Sequence, residues 1–125
     1  MKLKHIALNI QRKEELIDFY ENVLGFHLIH QYELNAAFAQ EIFGIDTKTD
    51  VFIYSNFTID IELFILPEKT NHGFAHICVE TEDRDVVVER CKKGGYQIIK
   101  IDREKKEDLL FIIDKSGNKF ELKNW

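Results

Sequence analysis

Proline occurs once in this chain of 125 residues, cysteine twice, and methionine and tryptophan once each. A single proline with six glycines excludes collagen-like and proline-rich disordered classes. The two cysteines, Cys78 and Cys91, are too few for a disulfide framework, and they form no Cys-x-x-Cys pair. No apolar run approaches the roughly 20 residues of a membrane span, and the first residues lack the apolar core of a secretory leader. The expectation is a cytoplasmic protein with no membrane partner. Positive charge is not in excess either: 17 Lys and Arg against 22 Asp and Glu give a formal charge of -5. Such a surface repels a phosphate backbone, so nucleic acid is not expected as a partner.

What the chain does have is hydrophobic mass. Hydrophobic residues make up 45% and phenylalanine alone contributes ten. That suffices for one core without disulfide or metal staples, and the length fits one domain.

Residues 3–10 alternate and are rich in aliphatics, which predicts a strand. Lys13, Glu14 and Glu15 open an amphipathic helix whose apolar face is Leu16, Phe19, Tyr20, Val23 and Leu24. Gly25 stands where a left-handed cap is needed. A strand follows over 26–33, then a short helix over 35–43 ending near Gly44. Strands are predicted at 51–55 and 58–66, with Pro67 stopping the second. The order then restarts. A strand at 74–80 leads into a helix that Thr81 can cap, with Glu82 and Asp83 in its first turn and Val87, Val88 and Cys91 buried. Gly94 and Gly95 end that helix. Strands at 96–101, 109–114 and 119–122 complete the chain, with turn chemistry at 115–118. The charged stretch 102–108 reads as a solvated loop.

Strand, helix and three strands therefore occur twice, and residues support the repeat. His5-Ile6-Ala7-Leu8 matches His76-Ile77-Cys78-Val79, and Leu24-Gly25-Phe26 echoes Gly94-Gly95-Tyr96. Ile61-Glu62-Leu63 matches Phe120-Glu121-Leu122. The expected fold is α+β: two paired βαβββ modules, residues 1–67 and 72–125, forming an incomplete β-barrel around a cavity.

Strand alternation then sorts the candidate residues. Ile6, Leu8 and Ile10 share one face, and His5, Ala7 and Asn9 share the other. Glu62 opposes Ile61 and Leu63, His76 opposes Ile77, and Glu121 opposes Phe120 and Leu122. Each candidate ligand thus lies opposite an aliphatic face that should pack on helices. If the modules pair, His5, Glu62, His76 and Glu121 can converge on one divalent cation: zinc, nickel, manganese, cobalt or iron. No organic cofactor is implied. Four protein ligands on a six-coordinate ion leave two places for neighbouring oxygens of a small-molecule substrate. The ion would polarise a carbonyl and favour an enolate-like intermediate, while a carboxylate moved the proton. Phe52, Tyr54 and Phe64 are candidate cavity walls, and Asn9 and Cys78 share faces with the ligands.

The ordered set His5-Ile6-Ala7-Leu8, Phe-Tyr-x-x-Val-Leu-Gly-Phe at 19–26, Ile61-Glu62-Leu63, Gly-Phe-Ala-His-Ile at 73–77 and Asp-x-Ser-Gly-Asn-x-x-Glu-Leu at 114–122 resembles the glyoxalase/bleomycin-resistance/dioxygenase (vicinal oxygen chelate) superfamily. The resemblance spans nearly the whole chain. It implies paired modules around a metal, a homodimer with barrels shared between subunits, and His5, Glu62, His76 and Glu121 as ligands. It further implies glyoxalase-like lyase or isomerase chemistry with Glu121, or else Glu62, as the catalytic base. Asn9 stands where glyoxalases of this type carry an arginine for glutathione's carboxylate. The stretch 102–108 lacks their glycine-rich character, so glutathione is not the expected substrate. Among the other histidines, His27 and His30 fall on opposite faces of one strand, and surface or rim positions are expected for both and for His72. A non-catalytic, metal-free drug-binding protein of the bleomycin-resistance kind is the second functional class, and the acidic charge would suit a cationic drug.

Overall fold

The structure, a computed structural model, describes residues 3–68 and 74–125. Eight strands form two separate four-stranded sheets, one from each half of the chain. In the first, β1 (Ile6–Ile10), β2 (His27–Leu34), β3 (Thr49–Ser55) and β4 (Asp60–Ile65) take the order β1-β4-β3-β2. In the second, β5 (Ile77–Thr81), β6 (Gln97–Arg103), β7 (Lys106–Ile113) and β8 (Lys119–Asn124) repeat it as β5-β8-β7-β6. β1 runs parallel to β4 and β5 to β8; the remaining pairs are antiparallel. Register is duplicated along with order. Ala7 pairs with Glu62 and Cys78 with Glu121, each two residues after its histidine.

The helices are α1 (Leu16–Glu21), α2 (Ala36–Phe43) and α3 (Arg84–Gly94). The first is wound as a π-helix: Asn22 N–H donates to Ile17 O and Leu24 N–H to Phe19 O, five residues back in each case. Leu16, Phe19, Tyr20 and Val23 are nonetheless all buried, so the predicted apolar stripe is the core stripe. α2 is held at both ends as its sequence predicts. Asn35 Oδ1 accepts from Phe38 N–H, and Gly44 takes the left-handed conformation at φ 71°. α3 is capped by Asp83, whose carboxylate accepts from the amides of Asp85 and Val86. The expected cap, Thr81, is instead the last residue of β5.

The aliphatic faces of both sheets close on one core. Ile10, Ile61 and Leu63 from the first sheet join Ile112, Phe120 and Leu122 from the second, with Phe19 and Cys91 from the helices between them. Phe19 stacks edge-on against Tyr96 with ring centroids 4.9 Å apart, and its ring lies 5.7 Å from Phe120. The halves are also joined by polar contacts at the 114–118 turn. Tyr20 donates to Asp114 Oδ2 at 2.9 Å, Lys115 N–H to Glu15 Oε1 at 2.5 Å, and Gln11 N–H to Ser116 Oγ at 2.8 Å. Ser116 Oγ also donates to Glu15 Oε2. Burial raises both carboxyls, Glu15 and Asp114, against the lowering effect of these donors.

One difference between the halves matters below. Between β2 and β3 the first half inserts α2 and the loop after it. The second half turns from β6 to β7 through Glu104 and Lys105 alone, with Arg103 opposite Lys106. The expected charged loop over 102–108 is therefore a tight hairpin, closed by Lys105 at φ 59° and by Arg103 bonding Glu107 O.

Candidate metal centre

His5 and His76 each sit one residue before the first hydrogen-bonded residue of their strand. Their rings reach sideways to the neighbouring strand. His5 Nε2 lies 3.4 Å from Glu62 Oε2, and His76 Nε2 lies 3.5 Å from Glu121 Oε2. The two pairs match in exposure as well. The histidine side chains are 43% and 41% exposed and the glutamates 15% and 13%, so both pairs open to solvent from one side. Ligands at about 2.1 Å from a common ion stand about 3.0 Å apart at a right angle and about 3.4 Å apart at a tetrahedral one, so each pair has the spacing of two donors to one cation. His76 carries a further mark of a ligand. Its Nδ1 is 2.9 Å from Phe74 O, and a carbonyl only accepts, so Nδ1 carries a proton and Nε2 is the nitrogen turned to the glutamate.

The structure makes two half-sites, not one quartet. Among the described residues no group of three or more His, Cys, Asp or Glu side chains is placed to hold a metal. The reason lies in the packing. The helices and the common core occupy the aliphatic faces of both sheets, so the faces carrying His5–Glu62 and His76–Glu121 point away from that core. Two donors are too few to retain a catalytic ion; the donor chemistry fits a divalent metal only when two half-sites meet.

The neighbours of each pair follow from register, because directly opposed residues share a face. Ile53 is opposite Glu62 and Val51 opposite Phe64. Phe52 and Tyr54, expected to wall the cavity, are opposite Leu63 and Ile61 and lie in the core, 3% and 2% exposed. Tyr54 bonds Glu21 at 3.0 Å on that side. Both faces of β3 are apolar, so alternation carried no polar marker of which face looks outward. Phe64 is on the expected face. With Asn9 it lines a cavity of about 610 Å³ beneath α2, which the sequence reading did not foresee. Tyr32 was also missed; it is opposite Val51 on the face of Phe64, and burial and then the charge of Glu62 raise its phenol. In the second half Phe111 is opposite Glu121, and its ring stands edge-on to His76 at 5.7 Å. Cys78 is exposed and stands opposite Glu121; burial first, then the charge of that carboxylate, raise its thiol. Cys91 is buried in the core as expected, its thiol pushed up to about 11. His30 is exposed and His27 half-buried against the Phe57 ring. His72 lies outside the described residues.

Two like modules, each with a His–Glu pair on an outward sheet face, define an α+β protein built from a duplicated unit. The Glyoxalase/Bleomycin resistance protein/Dioxygenase superfamily model matches residues 2–122, and the chain belongs to that family. It is 28% identical to a lactoylglutathione lyase of Neisseria meningitidis, over 98% of this chain and 89% of that one. Among solved structures, the fosfomycin resistance protein FosX of Listeria monocytogenes superposes with a TM-score of 0.75 at 16% identity, covering 100% of this chain and 93% of that one. A variant of the same Listeria protein, complexed with Mn(II) and 1S,2S-dihydroxypropylphosphonic acid, gives 0.71 at 18% identity over 97% and 90% of the two chains. These likenesses agree with the glyoxalase-like α+β fold expected from the sequence. No described helix is long and apolar enough to cross a membrane.

Proposed function

We propose that this chain is a metal-dependent lyase or isomerase of the glyoxalase type, working as a homodimer. In each of its two sites, His5 and Glu62 of one copy and His76 and Glu121 of the other hold a divalent cation. The observation that carries the reading is the pair of equivalent His–Glu half-sites, at 3.4 and 3.5 Å, on separate sheets of one chain. The strands that follow the two histidines, β1 and β5, are each the edge of their sheet. A two-fold axis that brought β1 of one copy beside β5 of the next would give both sites four ligands at once.

When bound, the cation supplies Lewis-acid polarisation to two neighbouring oxygens of the substrate. The chain's own residues do the rest. His76 is oriented by its Nδ1 contact with Phe74 O, which turns Nε2 to the site. Phe111 and Ile53 exclude water beside the glutamates. The proton is assigned to a carboxylate oxygen of Glu121, with Glu62 as the alternative. The lactoylglutathione lyase relative supports this reaction class. Asn9 offers a neutral amide where a glutathione carboxylate would call for a cation, so the substrate here is a different oxygen chelator.

Complementation tests the reading. A chain carrying His5→Ala with Glu62→Gln and a chain carrying His76→Ala with Glu121→Gln should each fail to bind Mn(II), Ni(II) or Zn(II). Coexpressed, they should recover about one ion per heterodimer, because one site then receives both intact halves. Recovery of none would defeat the shared site. A parent chain that binds no ion would replace this reading with metal-free ligand sequestration.

A further inference from the structure

The cavity beneath α2 is built on an insertion that the second half lacks, where a two-residue turn replaces the helix. Its floor is the outward face of the first sheet. Ala7 contributes to that floor, is the register partner of Glu62, and stands two residues from His5, so the cavity adjoins the first half-site. Leu34, Ala39, Phe43, Ile45, Phe64 and Leu66 give it an apolar lining. The Phe43 ring stands edge-on to Phe64 at 5.7 Å, yet Phe43 is 53% and Ile45 38% exposed. Its volume of about 610 Å³ falls in the range of small-molecule sites. The charges at its rim nearly cancel. Lys48 lies 4.0 Å from Glu33, Asp50 adds a negative charge, and Lys13 is the remaining cation of the lining.

On the reading that His5 and Glu62 hold the reacting end of the substrate, we propose that this cavity is a subsite for an alkyl or aryl tail. The substrate class is then a small oxygen chelator bearing a hydrophobic group, not a peptide conjugate. A peptide with two carboxylates would need several free cations, whereas a lining dominated by apolar side chains, with Lys48 set against Glu33 and Lys13 5.3 Å over the Phe52 ring, suits a hydrocarbon tail with at most one anionic end. The inserted helix builds this room beside the His5–Glu62 half-site, so in a two-fold dimer each site has one such subsite.

Two measurements separate this inference from the metal reading. The first uses metal-free protein and 1-hexanol as a neutral probe, followed by amide chemical shifts. Shifts should cluster at Ala7, Ala39, Phe43 and Phe64, and Phe43→Gln, a change at a half-exposed position, should weaken binding at least tenfold. Ala7→Leu, which narrows the mouth from an open position, should do the same. Shifts elsewhere, or affinity unchanged in both variants, would overturn the subsite. The second uses Mn(II)-loaded protein and straight-chain alkyl hydroxamates, which chelate through two adjacent oxygens. Affinity should rise roughly fourfold per added methylene, the equivalent of about 0.8 kcal/mol per buried CH₂, until the cavity is filled, and the rise should flatten in Phe43→Gln. A flat series in the parent would overturn the proposal. Hydroxamates that do not bind, with hexanol still mapped to the cavity, would strike the metal reading and leave the subsite standing.

Discussion

Replacing Tyr20 by Phe removes one oxygen from the polar joint between the two halves and changes almost nothing else. Tyr20 is fully buried, and its hydroxyl donates to Asp114 Oδ2 at 2.9 Å. That oxygen would keep Asn118 Nδ2 at 2.8 Å as its other partner, and Oδ1 would keep the amides of Ser116 and Asn118. A hydrogen bond to a buried carboxylate contributes about 1.5–3 kcal/mol, so the variant should lose about 2 kcal/mol near neutral pH. The loss should depend on pH, and its sign follows from linkage. Burial raises Asp114 above its unfolded value, so its contribution to stability is fully present below the unfolded pKa and is lost as pH rises through the folded one. The Tyr20 hydroxyl is one of the donors that oppose this rise, so Tyr20→Phe lifts the folded pKa further. The deficit should be largest where Asp114 is ionised in both proteins and should shrink towards the unfolded pKa, where the carboxyl is neutral and the lost bond weaker. Urea unfolding at several pH values checks this. With a urea slope in the range of about 1–3 kcal/mol/M, the neutral-pH midpoint should fall by about 1 M. A deficit constant with pH, or larger in acid, would refute the argument.

Three further outcomes are expected. Asp83→Ala removes the acceptor for two amides at the start of α3 and should cost about 1 kcal/mol in urea unfolding, whereas Thr81→Ala should leave the cap intact. Lys105→Gly should stabilise the β6–β7 hairpin by up to about 1 kcal/mol in thermal unfolding, because Lys105 holds φ 59° in a two-residue turn where glycine pays no steric cost. Removing metal with a chelator should lower the melting temperature and shift the dimer towards monomer in sedimentation, and His5→Ala should give the same low value with or without chelator.

The parts of this molecule legible in the sequence are those where one face of an element is apolar and the other is not. β1, β4, β5 and β8 each alternate clearly, so the faces of His5, Glu62, His76 and Glu121 could be read directly. α2 announced both of its ends, Asn35 and Gly44. β3 could not be read this way. In Val51-Phe52-Ile53-Tyr54 either parity is hydrophobic, and the choice is made by pairing with β4, which turns Phe52 and Tyr54 to the common core and Val51 and Ile53 to the opposite face, where Val51 is itself fully buried. Glu15 and Asp114 were hidden for the opposite reason. Each looks like an ordinary surface carboxylate, and only the return of the 114–118 turn onto α1 buries them with donors from the other half.

The convergence of the four ligands was a property of the repeat, and the fold qualifies it. Duplicated modules can pair face to face within a chain or with a second chain, and strand alternation is the same in both. What decides is where the helices go. Here Phe19, Tyr20, Val87 and Cys91 pack between the two sheets of one chain and take up the space a shared cavity would need. Both His–Glu pairs are thereby turned outward, each with two donors and an open side. On the proposed reading, a cation that requires at least three protein ligands makes dimerisation a condition of the chemistry. Metal affinity should therefore fall with protein concentration below the dimer dissociation constant. Manganese titrations at about 0.01 and about 100 times that constant test this: an affinity independent of dilution would place the whole site in one chain.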